Sequence, residues 1–139
     1  MLNLSHKNLE VYKIALQLVK EIYRITKLLP REEIYGLVSQ LRRAGVSVSS
    51  NLAEGAARKS SKEKKRFYEI SRSSLVEVDT QIEICLLLDY FRKENQIQLE
   101  KFTESVFRML SKMIGNLELS PTSHLPLANH TTQTPLTTS

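Results

Sequence analysis

The sequence of 139 residues is poor in the residues that build turn-rich or cross-linked folds. It has no tryptophan, one cysteine (Cys85), four glycines and four prolines. A single cysteine excludes an internal disulfide framework and is typical of a reducing compartment. Because glycine and proline are scarce, an all-β fold with many tight turns is not expected. These absences predict a mainly helical, cytoplasmic protein.

Long apolar runs are also missing. No uninterrupted apolar stretch approaches the roughly 20 residues that span a membrane as a helix. The first residues, MLNLSHKNLEVYK, do not join a basic region to an apolar core, so no secretory signal is expected. With 41% apolar and 25% charged residues, the composition is that of an ordinary folded domain, and one domain is expected at this length.

Histidine is nearly absent, and with it most of the chemistry of catalytic and metal sites. His6 lies near the N-terminus, whereas His124 and His130 lie in the last 20 residues. The predicted helices therefore lack the base of a Ser-His-Asp triad and the histidine ligands of zinc or di-iron sites. No glycine-rich phosphate-binding motif is present either. We expect no metal, no cofactor and no catalytic residue, and hence not an enzyme.

The last part of the chain, residues 119–139, differs from the rest in composition. It contains three of the four prolines, many serines and threonines, and no Asp, Glu, Lys or Arg. Without apolar periodicity it cannot bury enough surface to offset the entropy of ordering. It is predicted to be a disordered Ser/Thr/Pro-rich tail, and an O-glycosylated stalk is the compositional alternative. The folded domain is then residues 6–118.

Apolar residues recur at alternating spacings of three and four along four segments of this domain, which predicts four amphipathic helices. Short connections between helices of about 20–28 residues favour an all-α, antiparallel up-down-up-down four-helix bundle. The first helix has two apolar seams and should bury a wide face. The predicted helices span about residues 9–29, 31–54, 60–89 and 96–118.

Details of the second and third helices are also predicted. Ile34 is placed on the inner face of the second helix, and Gly55 is a plausible C-terminal stop. Ser60 and Glu63 have the spacing of a capping box at the start of the third helix. Phe67 fits the core stripe of that helix, whereas its neighbour Tyr68 is expected to be an exposed aromatic.

The basic residues are concentrated in one segment. Residues 42–72, the basic segment, carry nine cations and three carboxylates, a net charge of +6, so the remainder of the chain carries −1. Because the junction of helices two and three lies within it, the segment is expected to form a basic pole. Such a surface favours polyanions, phosphate backbones above all, and a solvated surface is the simpler alternative. The candidate nucleic-acid-binding residues are Arg42, Arg43, Arg58, Lys59, Lys62, Lys64, Lys65, Arg66 and Arg72.

Four short stretches of the sequence are distinctive: Asn8–Lys13 (NLEVYK), Tyr35–Ala44 (YGLVSQLRRA), Ser50–Gly55 (SNLAEG) and Arg66–Tyr68 (RFY). They resemble the four-helix-bundle family known as the 23S rRNA intervening-sequence proteins. The similarity extends over residues 8–118. Two positions depart from the family's pattern: Tyr12 stands where tryptophan is usual, and Ser49 where proline is usual.

The resemblance implies a four-helix protomer that assembles into a homopentameric ring. It also implies a relation to the accessory variability proteins of diversity-generating retroelements, which are basic pentameric barrels that bind nucleic acid and a reverse transcriptase. Two hypotheses follow. The first is a non-enzymatic oligomer that binds nucleic acid, with structured RNA favoured. The second is a protein-interaction scaffold, such as an accessory subunit of a retroelement reverse transcriptase. No membrane partner is expected.

Overall fold

The computed structural model describes residues 1–119, and in this range the chain is all-α, with four long helices and no strand. Single 3-10 turns precede the first, second and fourth helices. The predicted tail, apart from Leu119, lies outside the described residues. The helices are α1 (Glu10–Thr26), α2 (Leu37–Ala57), α3 (Ser61–Leu87) and α4 (Ile97–Glu118).

Each helix packs against the helices next to it in sequence, and α4 closes the arrangement by packing on α1. Thus α1 contacts α2 and α4, and α3 contacts the same two helices, so α1 and α3 lie diagonally across the core. Short connections reverse the chain at each step, as in an up-down-up-down bundle. One end, the junction end, carries the α2–α3 connection, and the other, the distal end, carries the α1–α2 and α3–α4 connections.

The two apolar seams of α1 differ in burial. The seam that contains Ala15, Leu18 and Ile22 is fully buried. The other seam is covered only in part: Leu9 and Tyr12 pack against the core, whereas Leu16 is 44% and Tyr23 41% exposed. The expected wide buried face is therefore present in part, and the rest of this seam lies on the side of α1 that faces neither α2 nor α4.

Helix α2 begins later than predicted. A 3-10 turn at Arg31–Glu33 precedes it, and the helix starts only at Leu37. The Glu33 carboxylate accepts a hydrogen bond from the Leu37 amide at 2.9 Å and so satisfies one free donor of the first turn. Because Ile34 lies in the turn before the helix, it is 45% exposed, and its predicted inner position is wrong.

The end of α2 also differs from the prediction. Gly55 does not stop the helix, which continues through Ala57. A β-carbon at Gly55 would lie 2.7 Å from the ring of Tyr68, so glycine here permits close approach of α2 and α3. Ser49 is 8% exposed within the uninterrupted helix.

Hydroxyl groups join α2 to α3 farther along the same contact. Ser71 donates to the carbonyl of Val48 at 2.7 Å, and the hydroxyls of Ser47 and Ser74 lie 2.9 Å apart. Asn51 donates its amide to the Ser47 carbonyl at 2.9 Å. Small side chains that satisfy one another allow the two helices to pack closely without unpaired polar groups at these positions. The contact fixes the geometry of the connection that follows it.

Candidate nucleic-acid interface

The α2–α3 connection is short and held at both sides. Only Arg58, Lys59 and Ser60 separate the two helices. The Ser60 hydroxyl accepts a hydrogen bond from the Glu63 amide at 3.1 Å, which confirms Ser60 as the predicted N-cap. On the other side, the Lys64 ammonium donates to the carbonyl of Ala56 at 3.0 Å, in the last turn of α2. The connection is therefore held by one hydrogen bond at the start of α3 and by one from α3 back to the end of α2.

Six cations of the basic segment lie at or near this connection, and we call them the junction cations. They occupy the connection itself and the first two turns of α3. Four carboxylates lie among or against them, from Glu54, Glu63, Glu69 and Glu118, so the local excess is +2. The junction cations are Arg58, Lys59, Lys62, Lys64, Lys65 and Arg66.

Two of the junction cations are paired with carboxylates. Arg58 forms an ion pair with Glu54 one turn earlier. Lys65 lies 2.9 Å from Glu118 and 3.8 Å from Glu69. The hydrogen bond and charge of Glu118, opposed by burial and aided by Glu69, raise the pKa of Lys65 above its ordinary value. Since Glu118 lies far away in the sequence, this pairing is invisible to a local charge count.

Three of the other junction cations are exposed to solvent and form no ion pair with the described residues. Lys59 and Lys62 are exposed and have no ion-pair or hydrogen-bond partner among residues 1–119. Arg66 is exposed and lies 5.9 Å from the centre of the Phe67 ring. Lys62 and Arg66 lie one turn apart on the same side of α3, where neighbouring side chains are about 5–6 Å apart. These three side chains form the accessible positive surface.

The structure separates Arg42, Arg43 and Arg72 from the junction. Arg42 precedes Ala57 by 15 residues in the same helix, about 22 Å at 1.5 Å per residue. Arg72 follows Ser61 by 11 residues, about 16 Å along α3. A cluster that is compact in sequence is thus spread along two helices, and the expected single pole contains only six of the nine candidates.

Arg42 and Arg72 are bound to the body of the protein. Arg42 donates from Nε to the Thr26 hydroxyl at 3.0 Å and stacks 4.4 Å from the ring of Tyr23. Arg72 donates to the Ser111 hydroxyl at 3.2 Å. Arg43, by contrast, is exposed and forms no ion pair within the described range.

The aromatic residues of the junction are the reverse of those predicted. Tyr68 is only 5% exposed and packs on Gly55, and burial raises the pKa of its phenol above the ordinary value. Phe67 is half-buried, with the Arg58 guanidinium 4.8 Å from its ring centre. The side chains of adjacent helical residues point about 100° apart. Phe67 and Tyr68 therefore meet different neighbours and differ in burial. The predicted exposed tyrosine is wrong.

Sequence reasoning also missed one basic residue near the junction end. Because α1 and α2 are antiparallel, the N-terminal turn Ser5–Asn8 lies beside α2 and contacts it. It brings Lys7, which donates to the carbonyl of Leu2. His6 of this turn is buried, and its ring centre is 4.7 Å from that of Tyr12. Only the topology, and no local signal, places Lys7 here.

The described part of the chain contains no group of three or more His, Cys, Asp or Glu residues that could hold a metal. None of the helices within residues 1–119 is both long and apolar enough to cross a membrane. Cys85 is buried, and burial, with the nearby charge of Glu33, raises its pKa to about 11, which leaves it a poor nucleophile.

The fold and this surface define a small all-α protein of four packed helices with a cation-rich connection at one end. Its chain belongs to the 23S rRNA-intervening sequence protein family, whose model matches residues 7–112. This match confirms the resemblance that the sequence motifs indicated. The family's description refers to a ribosomal RNA element and not to a reaction. No curated protein matches the chain.

Proposed function

We propose that the protein is a cytoplasmic, non-enzymatic homo-oligomer that binds nucleic acid, structured RNA in particular, through the junction cations. The observation that carries the proposal is the accessible row formed by Lys59, Lys62 and Arg66 on a connection fixed from both sides. Cations one helical turn apart suit the repeated phosphates of a nucleic-acid chain. The start of α3 adds the positive end of a helix dipole.

Two surfaces of the protomer support self-association. A groove of about 530 Å³ between α3 and α4 has an apolar floor that includes Leu75 and Leu99. The carboxylates along it, which have no ion-pair partner among the described residues, are Asp79, Glu83, Glu100 and Glu104. An apolar groove flanked by unpaired carboxylates suits an apolar surface flanked by cations.

The outer seam of α1 has that complementary chemistry. Lys13, Leu16, Lys20 and Tyr23 follow one another at spacings of three and four, so they form one exposed stripe. Tyr23 contacts Arg42 of α2, which turns the stripe toward the side away from the α3–α4 groove. A contact between unlike surfaces on different sides of a protomer is heterologous and closes into a ring when the rotation allows it.

Assembly changes the electrostatics of the junction. The resemblance implies five copies, which would repeat the local +2 excess around one ring. A modest patch then becomes an extended positive surface, and its long-range attraction for RNA increases accordingly. At its junction a single protomer presents only three accessible cations, so the oligomer supplies the extended surface that one chain lacks.

The RNA-binding proposal is tested with the triple variant Lys59→Glu, Lys62→Glu and Arg66→Glu. Binding of a fluorescent RNA hairpin is measured by anisotropy between about 50 and 300 mM salt. The wild-type affinity should fall steeply as salt rises, and the variant should bind more weakly with a shallower salt slope, since each lost phosphate contact removes about 0.7–0.9 from it.

The matched control is Lys93→Glu, Lys101→Glu and Arg108→Glu, which makes the same charge change on exposed residues away from the junction. The proposal requires this control to bind nearly as well as wild type. Equal losses in both variants, or binding that does not depend on salt, would contradict it. A protein partner that stays bound after nuclease treatment would instead favour the interaction scaffold.

Self-association is tested by charge exchange. Glu83→Lys with Glu100→Lys should dissociate the oligomer, and so should Lys13→Glu with Lys20→Glu. A chain that carries all four changes should assemble again, because the pairing is restored with reversed signs. Analytical ultracentrifugation gives the mass of each variant. A wild-type monomer, or a four-fold variant that stays dissociated, contradicts this interface.

A further inference from the structure

A second cavity lies at the distal end, beside the α1–α2 connection and far from the junction. Its volume is about 680 Å³, which falls in the range of sites for small molecules. The residues that line it include three cations, Lys27, Arg31 and Arg42, and no aspartate or glutamate. This cavity lining carries positive charge and no carboxylate. It differs in this from the junction, where carboxylates partly neutralise the cations.

Arg42 is fixed in direction within this cavity. Its Nε donates to the Thr26 hydroxyl at 3.0 Å, and the guanidinium stacks on Tyr23 at 4.4 Å. The Thr26 hydroxyl in turn donates to the Ile22 carbonyl at 2.7 Å. The two terminal nitrogens of Arg42 have no hydrogen-bond partner among residues 1–119. They remain available as a pair of donors of the kind that recognises phosphate.

Tyr35 adds an aromatic surface at the same cavity. It lies in the turn before α2 and is 96% exposed, the highest value for any aromatic residue that the structure describes. Its hydroxyl makes no hydrogen bond with the described residues. Leu29 and Val38, both buried, contribute apolar lining. An exposed ring beside several cations is the arrangement on which a nucleic-acid base stacks while its phosphate is held.

We propose that this cavity binds a nucleoside phosphate, with the base stacked on Tyr35 and the phosphate held by Arg31 and Arg42. The cavity is larger than a phosphate ion requires, and its aromatic and apolar side chains would make no contribution to binding a phosphate ion alone. The ligand is either a free mononucleotide or an unpaired nucleotide of RNA. Only the second source rests on the proposed RNA-binding function, because a free nucleotide needs no contact with the junction cations.

The two sources are separated by the probes. Adenosine monophosphate, adenosine and a ten-nucleotide single-stranded RNA are titrated by calorimetry, and shifts of the Leu29 and Val38 methyl signals locate the site. A free-nucleotide site binds the monophosphate more tightly than adenosine and gains nothing from the longer chain. An RNA site binds the single strand far more tightly than the monophosphate. If none of these probes binds, the proposal is overturned.

Two variants test the roles of the side chains. Tyr35→Ala should weaken binding roughly 5- to 150-fold, the range for one stacked base, whereas Tyr35→Phe should retain it. Arg31→Gln should remove the preference for the monophosphate over adenosine. Because Tyr35 is almost fully exposed, neither change at that position should alter the melting temperature.

The junction triple variant is the control that separates this proposal from the first. It should bind the monophosphate as wild type does, even if its RNA hairpin binding is lost. If Tyr35→Ala binds normally, stacking is excluded and the proposal fails. If Tyr35→Ala changes the oligomer mass and leaves nucleotide binding unchanged, the exposed ring belongs to a contact between copies, and the proposal fails as well.

Discussion

The two ends of the bundle are stabilised by different interactions. At the junction end, side chains meet as exposed ion pairs, such as Arg58 with Glu54 and Lys65 with Glu118. At the distal end, the Glu33 carboxylate accepts from the Leu37 amide at 2.9 Å and from the Tyr90 hydroxyl at 3.1 Å, which ties α2 to the α3–α4 connection. Ion pairs in water are screened by salt, whereas hydrogen bonds between fixed partners are not.

The two ends therefore differ in what can perturb them. In the proposed RNA complex, the exposed charges at the junction end would exchange their carboxylate partners for phosphates without loss of the fold. The distal end instead depends on specific contacts of Glu33, and burial there raises the pKa values of Cys85 and Tyr90. Salt should therefore act mainly on the junction end, whereas alkaline pH should act on both ends, through Tyr68 at the junction and through Cys85 and Tyr90 at the distal end.

The largest expected contrast concerns one glycine at each end. In Gly55→Ala, the new methyl group would lie 2.7 Å from the buried Tyr68 ring, which has little room to move. Overpacking of this kind costs about 1–3 kcal/mol, and the helix-propensity gain of Ala offsets up to about 1 kcal/mol. We expect a loss of about 1–2 kcal/mol in the free energy of unfolding, measured by urea denaturation.

Gly36→Ala is the matched change at the distal end. Its methyl group would also lie 2.7 Å from an atom, but that atom is Oε2 of Glu33, the end of a flexible side chain. The carboxylate can turn away only by giving up its hydrogen bonds with the Leu37 amide and the Tyr90 hydroxyl, so the loss should reach at most that of Gly55→Ala. A larger loss at Gly36 would show that Glu33 is held more rigidly than the Tyr68 ring, and would reverse the comparison.

The cap of α3 gives the next largest effect. Ser60→Ala removes the acceptor of the Glu63 amide and should lower the free energy of unfolding by about 1 kcal/mol. Ser61→Ala, one residue later, keeps that hydrogen bond and serves as the control. Urea denaturation measures both, and equal losses would mean that the cap contributes nothing of its own.

At the distal end, alkaline pH should act through Cys85 and Tyr90. Burial and the charge of Glu33 raise the pKa of Cys85 from 9.0 to about 11, and the pKa of Tyr90 is raised by burial and by Glu33. A raised pKa means that the folded state holds its proton more tightly, so stability is constant below about pH 9 and falls as the pH rises toward 11.

Denaturation at pH 7.5, 9 and 10.5 measures this fall, and Cys85→Ala should make it shallower because one of the groups with a raised pKa is gone. The thiol should also stay unreactive toward a disulfide reagent in the folded protein. If wild type and Cys85→Ala lose stability in parallel with rising pH, the buried thiol is not part of the cause.

The smallest effect is expected for the ion pair between α3 and α4. Glu118→Gln removes the closer partner of Lys65, and exposed pairs contribute little to stability. The difference from wild type should disappear at 1 M salt, where the screening length is about 3 Å. A difference that persists at that salt concentration, measured by thermal denaturation, would mean that the contact is more than electrostatic.

Much of the fold follows from the sequence because apolar spacing reports directly on helical faces. The buried seam through Ala15, Leu18 and Ile22 and the cap at Ser60 were predictable in this way. The turn before α2 was not predictable, because it depends on Glu33, which makes a tertiary contact with Tyr90, and on Gly36, which lies against Glu33. Both seams of α1 have helical spacing, and the positions of α2 and α4 decide which of them is fully buried.

The candidate site was predictable only in part, for a different reason. A charge count along the chain found the junction cations because the connection between α2 and α3 is short. It grouped Arg42 with them because it ignores the rise of 1.5 Å per residue along a helix. It also missed Glu118, which lies far away in sequence and pairs with Lys65. Partners that arrive through topology carry no local signal.

The hydrogen bond from Lys64 to the Ala56 carbonyl has a consequence for the thermodynamics of binding. It bridges the last turn of α2 and the first turn of α3, so the residues between them have few conformations left to lose. A ligand that contacts this connection would therefore meet a backbone that is already ordered. The conformational entropy of ordering that backbone is lost when the protein folds and not when the ligand binds. In the proposed complex, the Lys64 hydrogen bond would in this way favour binding in addition to any phosphate contact.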